Sequence, residues 1–155
     1  MSYLLVKWLH ILSSTLLFGT GLGSAFYFFF ASLGREPRVV AAVAGYVVLA
    51  DWLFTAPTIV LQPASGFYLL HLAGLEPFAQ SWVRWSFALY ALAVLAWLPV
   101  VWLQLRMRDL ARAAAAAAAP LPERYWRLLG VWTLLGVVAF FALVAVYYLM
   151  IAKPA

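Results

Sequence analysis

Wound at about 100 degrees per residue, Lys7, His10, Ser14, Leu17, Gly21 and Ser24 fall on one stripe of an otherwise apolar segment. Polar and ionisable groups are expensive in hydrocarbon and normally turn toward a bundle interior or a wet cavity, so this stripe is the inward face. Imidazole is the usual protein ligand of a b-type haem iron and a common metal ligand. The chain has two histidines, His10 and His71, and the topology derived below assigns both to the same half of the bilayer. They are therefore candidate axial ligands or, with Met150, a nitrogen and thioether set suited to Cu(I). The plainer alternative is a lone histidine that hydrogen-bonds a neighbour. Lys7, Arg84 and Lys153 are the cations on that side, and a haem near His10 needs such partners for its propionates. The planar fork of Arg84 suits carboxylates best, unless it snorkels to lipid headgroups.

A second stripe carries Asp51, Thr55, Thr58, Gln62 and Ser65. A carboxyl within a bilayer needs a partner, and counting inward from Val39 brings Asp51 past midspan, toward Lys7 or His10. Such a pair either fixes the bundle or, together with Thr58 and Gln62, lines a polar path. The second case describes a transport or channel subunit, and four helices are few for a pore, so it calls for a homo-oligomer. "GTGLG" (19 to 23) has GxGxG spacing inside an apolar span and follows no strand, which excludes a phosphate loop. Close helix packing through Gly19, Gly21 and Gly23 is one reading, and a flat cofactor lying against them is the other.

These stripes must be carried by membrane helices. Of 155 residues, 68% are hydrophobic and 10% charged, far outside the soluble range. Spans are expected at about 3–33, 39–62 with an extension to 74, 82–105 and 125–152, giving an all-α, four-transmembrane-helix bundle with up-down connectivity in one integral membrane domain, 1–155. Lys7 precedes an apolar run longer than a signal-peptide core, so the first segment reads as a retained span. "GREPR" (34 to 38) is a turn in which Pro37 opens the next helix. A straight helix from Val39 to Leu75 overshoots a hydrocarbon core of about 30 Å, so the second helix is expected to kink or break near Pro57 and Pro63. Pro99 and Gln104 in the third span, and Gly130 and Gly136 in the fourth, read as kink and packing positions. The alanine run before Pro120 and Pro122 reads as a helical spacer projecting from the bilayer.

Arg35, Arg38, Arg106, Arg108, Arg112, Arg124 and Arg127 share one end, and Lys7, Arg84 and Lys153 the other. The positive-inside rule puts the seven in the cytoplasm and both termini on the extracytoplasmic side. Trp82 and Trp85 at one end, with Trp102 and Trp126 at the other, suit interfacial belts. The net charge of +5 therefore lies mostly in short connections facing lipid phosphates, and no nucleic-acid site is read from it. The absence of cysteine excludes disulfides and thiolate metal sites.

"KWLHILSSTLLFGTGLGSAF" (7 to 26), "ADWLFTAPTIVLQPASG" (50 to 66) and "WLPVVWLQLRMR" (97 to 108) resemble a bacterial family of predicted four-helix integral membrane proteins described only as a domain of unknown function. The resemblance implies a fold and a bacterial inner membrane, with no activity attached. More distantly, Lys7 and His10 as Lys-x-x-His resemble the first helix of the haem-binding membrane protoporphyrinogen oxidase and of the copper-resistance D proteins. This second likeness implies His10 as a haem ligand with Lys7 beside it. Where the oxidase family continues into an arginine- and histidine-containing segment, this chain has "SAFYFFFASLG". The leading expectation is a small haem b protein for electron transfer or porphyrin-related redox with a membrane redox partner. The others are transport, copper handling and a role as assembly partner of a larger membrane complex.

Overall fold

The structure, a computed structural model, describes residues 2–154. These form α1 (Tyr3–Leu33), α2 (Pro37–Ala50), a π-helical turn (Asp51–Thr55), α3 (Ala56–Leu72), α4 (Ser81–Ala116) and α5 (Glu123–Ala152). The π turn joins α2 and α3 into one span, Pro37–Leu72, so among the described residues four helices are long and apolar enough to cross a bilayer. Large side chains such as Tyr46, Trp52, Leu95 and Phe141 are exposed on the outside of the bundle, as a lipid-facing surface requires. The expected four-helix bundle is thus present, with the third helix running on past Leu105 to Ala116.

Local chemistry sets the helix ends. The Ser2 hydroxyl accepts from the Leu5 amide at 3.4 Å to cap α1. Gly34 and Arg35 reverse the chain, Arg35 in the left-handed region at φ 57°, and Pro37 sits in the first turn of α2. The far turn closes through Ala118, also left-handed at φ 48°. The alanine run is more than a spacer, because Ala111 and Ala114 are buried in the same cluster as Val40, Ala44 and Leu121.

That cluster is the packed core, and it occupies one end of the bundle. Phe28, Val40, Met107 and Tyr125 meet there with essentially no exposure. The Phe28 and Trp132 rings stand edge to face, 5.3 Å between centroids. Ser32 donates to the Phe28 carbonyl at 2.8 Å, so the 2.6 Å bond between its oxygen and the Tyr125 hydroxyl is donated by Tyr125. Toward the termini the helices part into two pairs, α4 packing on α5 and α1 on α3, with little contact between α1 and α5. Arg35 lies over Trp126 at the packed end, and Lys153 over Trp82 at the other.

Near Pro57 and Pro63, where a kink or break is expected around residues 62–66, the helix runs on from Ala56 to Leu72, and the irregularity lies upstream of both prolines as the π turn Asp51–Thr55. Its widened repeat lets the Ala56 amide donate to the Asp51 carbonyl, immediately before the ring of Pro57 removes a donor. At Pro63 the helix continues to Leu72. A proline there leaves the carbonyl four residues back, that of Ile59, without its amide, and a bilayer has no water to replace it. Tyr90 on α4 supplies the missing donor, its hydroxyl reaching the Ile59 oxygen at 2.7 Å. We predict that Tyr90→Phe destabilises the bundle by about 1–3 kcal/mol, the range for stranding a buried acceptor. In a Pro63→Ala background the restored amide should cancel most of that cost. Unfolding in mixed micelles as a double-mutant cycle measures it, and equal costs in both backgrounds would refute this role for Tyr90.

Candidate functional site

The gap between the two helix pairs holds two cavities stacked along the bundle. The outer one, near the termini, has a volume of about 490 Å³, and the inner one about 380 Å³; ligand sites are commonly about 300–1,000 Å³. Both are bordered by Leu17, Phe18, Tyr90 and Leu143. Phe18 on α1 crosses the gap to stack on Phe140, centroids 5.4 Å apart, and to meet the edge of Tyr147 at 5.5 Å. This aromatic bridge divides the cleft.

The first stripe lines this cleft as the helical repeat predicts: Lys7, His10 and Ser14 in the outer cavity, Gly21 and Ser24 in the inner, Leu17 in both. His10 is held from α3. Its Nδ1 lies 2.7 Å from the Ser65 hydroxyl oxygen, and Ser65 lies 2.5 Å from the Leu61 carbonyl. With the serine proton on that carbonyl, the imidazole is the tautomer that donates through Nδ1 and keeps the lone pair of Nε2. Nε2 has no hydrogen bond among the described residues. Gly66 makes room for the ring, since a Cβ there would stand 3.5 Å from His10 Cε1. Gln62 anchors the same turn, its amide donating to the His10 carbonyl at 2.9 Å and to the Ser13 hydroxyl.

Other expected partners are not brought to His10. His71 is exposed and does not border the outer cavity. Because α3 stays helical past Pro63, His71 lies about 9 Å beyond Ser65 along the axis and about 120° around it. The three-ligand copper set therefore loses a member, although Met150 does border the cavity with His10. Arg84 also lies outside the lining; its guanidinium donates to the Phe78 carbonyl at 2.7 Å in the loop before α4. Lys7 and Lys153 are the cations at the cavity, so Lys153 takes the position expected of Arg84. The buried Ser86 hydroxyl, without a partner, also lines this space.

Asp51 does not reach Lys7 or His10. It stands eleven residues before Gln62, about 16 Å along the helix, and borders the inner cavity with Thr55. Thr55 donates to Asp51 Oδ1 at 2.9 Å. Thr58 is buried and spends its hydroxyl on the carbonyls of Phe54 and Thr55, at 2.6 and 2.9 Å. Gln104, expected as a packing position, lies beside the Asp51 carboxyl. The glycines do not mediate close packing within the chain: a Cβ at Gly19, Gly21 or Gly23 would meet nothing within 4 Å. Among the described residues, no three acidic, histidine or cysteine side chains gather into a metal cluster.

Residues 4–154 match a family described as a predicted integral membrane protein, DUF2269. No curated protein and no solved structure matches the chain. The haem- and copper-related likeness of the first helix is carried by none of these comparisons.

We predict that Gln62→Leu, which removes the two hydrogen bonds Gln62 donates across the α1–α3 junction, destabilises the bundle by about 1–2 kcal/mol, as interhelical hydrogen bonds do in model membranes. Reversible unfolding in mixed micelles measures the change, and an unaltered midpoint would show that these two bonds do not support the junction.

Proposed function

The chain belongs to the DUF2269 family of predicted integral membrane proteins, and within that frame we propose that it binds haem b in the outer cavity, with His10 Nε2 as an axial ligand. The supporting observation is the imidazole itself, whose Nδ1 is engaged by the Ser65 hydroxyl while Nε2 has no hydrogen-bond partner among the described residues. Haem- and metal-ligating histidines are typically oriented in this way, by donating their other nitrogen to a neighbour. The remaining lining fits such a group. It is mostly apolar, aromatic at Trp82, Phe87 and Tyr147, and carries Lys7 and Lys153 as partners for two propionates. Met150 is the thioether on the same cavity and the natural second ligand, in place of His71.

Bound haem would supply one-electron chemistry, for transfer to a membrane redox partner or for porphyrin-related redox. The chain's own part is to orient a ring nitrogen, hold two carboxylates and keep water away. A bacterial inner membrane fits the family, and the arginine-rich end faces the cytoplasm by the positive-inside rule, leaving the cavity extracytoplasmic. A polar transport path is less well supported, because the packed core fills the other end of the bundle and leaves no continuous polar lining.

Protein purified in detergent and supplemented with hemin should give a reduced-minus-oxidised spectrum with b-type bands. His10→Ala should weaken haem retention at least tenfold, Lys7→Gln and Lys153→Gln should each weaken it several-fold, and His71→Ala should leave it unchanged. Absence of bands after supplementation would sink the proposal, and full retention in His10→Ala would sink the ligand assignment.

A further inference from the structure

The inner cavity has chemistry of its own, separate from His10. Its walls are almost wholly apolar, with the rings of Phe18, Phe29, Trp97 and Phe140 among them. Three of the side chains that border it are buried and carry a polar atom without a hydrogen-bond partner: Asp51 Oδ2, Gln104 Oε1 and Trp132 Nε1. Their exposures are 5%, 3% and 5%. In a bilayer each such group carries an uncompensated desolvation cost. They come from three elements, the π turn, α4 and α5, and π turns are frequent at functional sites. One orphan is an N–H donor and one an amide oxygen acceptor, while the carboxyl oxygen accepts when ionised and donates when protonated. A hydroxyl matches that set, since its proton goes to Asp51 or Gln104 while its oxygen accepts from Trp132.

The route in points to the source of the ligand. Between the Phe18–Phe140 stack and the Phe28–Trp132 contact that join α1 to α5, Gly21 on one side with Gly136 on the other leaves the cavity wall open, a Cβ at either meeting nothing within 4 Å. The opening is between lipid-facing helices. A molecule dissolved in the bilayer reaches it without crossing a polar surface.

We propose that the inner cavity binds a membrane-soluble, hydroxyl-bearing ring compound of the quinol class, its hydroxyl held by Asp51, Gln104 and Trp132 and its ring lying among the aromatic walls. This reading uses a cavity, polar groups and a ligand different from those of the haem proposal, so either can fail alone.

The test uses the full chain in detergent without added haem, titrated anaerobically by calorimetry against a short-chain ubiquinol analogue. Its dimethyl ether, which keeps the ring and loses both hydroxyl protons, and protein-free micelles are the controls. Saturable one-to-one binding of the quinol is expected, at least tenfold tighter than that of the ether. Asp51→Leu and Trp132→Phe should each weaken it at least tenfold, and Gly21→Leu, which fills the cavity without touching a polar group, should abolish it. Asp51→Leu retains apolar volume, and Thr55 can turn its hydroxyl to a carbonyl of its own helix, so the fold is expected to hold; Gly21→Leu decides the matter should that variant not fold. Quinol and ether binding within threefold of each other, no saturable binding, or binding retained in Gly21→Leu would each overturn the proposal.

Discussion

The arrangement depends on tight packing at one end of the bundle. Lipid is as apolar as a leucine side chain, so helices in a bilayer gain little from mere hydrophobic contact, and their spacing is decided where side chains interlock or hydrogen-bond. Here that place is the arginine-rich end, where Tyr125 bonds Ser32 and Trp132 meets the edge of Phe28. The interaction ties the end of α1 to the start of α5. Further along, Gln62 holds α1 to α3, while the Phe18 bridge is the chief tie from α1 to α5. Two helix pairs held at one end and parted at the other must leave a cleft.

The bilayer's demand that every backbone group find a partner explains the irregular second span. Pro57 and Pro63 both remove donors, yet they are accommodated differently. Ahead of Pro57 the helix widens into a π turn, which brings Asp51 and Thr55 to the cavity wall. Around Pro63 the helix keeps its course, because a tyrosine on a neighbouring helix takes over the lost bond. The same tyrosine then borders both cavities. Backbone repair and cavity shape are joined in one side chain.

The cleft is divided into two chemically different halves. Toward the termini an imidazole, two lysines and a thioether border the same cavity. Past the aromatic bridge there are a carboxyl, an amide and an indole, each with a buried atom lacking a partner. In water such atoms would be unremarked; in hydrocarbon they cost free energy that structural need alone does not explain.

Spans, their alternating direction, the turn at Gly34 to Pro37 and the inward stripe of α1 were legible in the residues alone. Each follows from a local rule: apolar length against bilayer thickness, the fixed φ of proline, or the 3.6-residue repeat. The same repeat correctly assigned Lys7, His10, Ser14 and Gly21 to the cleft, because which residues share a helix face is a one-dimensional property. Partners across helices are not. That Asp51 meets Gln104 instead of His10, that Lys153 replaces Arg84, and that His71 turns away depend on axial offsets and rotations set by the packed core. Tyr90 gave no sign in the sequence of its bond to Ile59. Only the tertiary structure decided which polar groups meet, since a helix rotated by a third of a turn, or shifted by two turns, keeps its sequence and changes every neighbour.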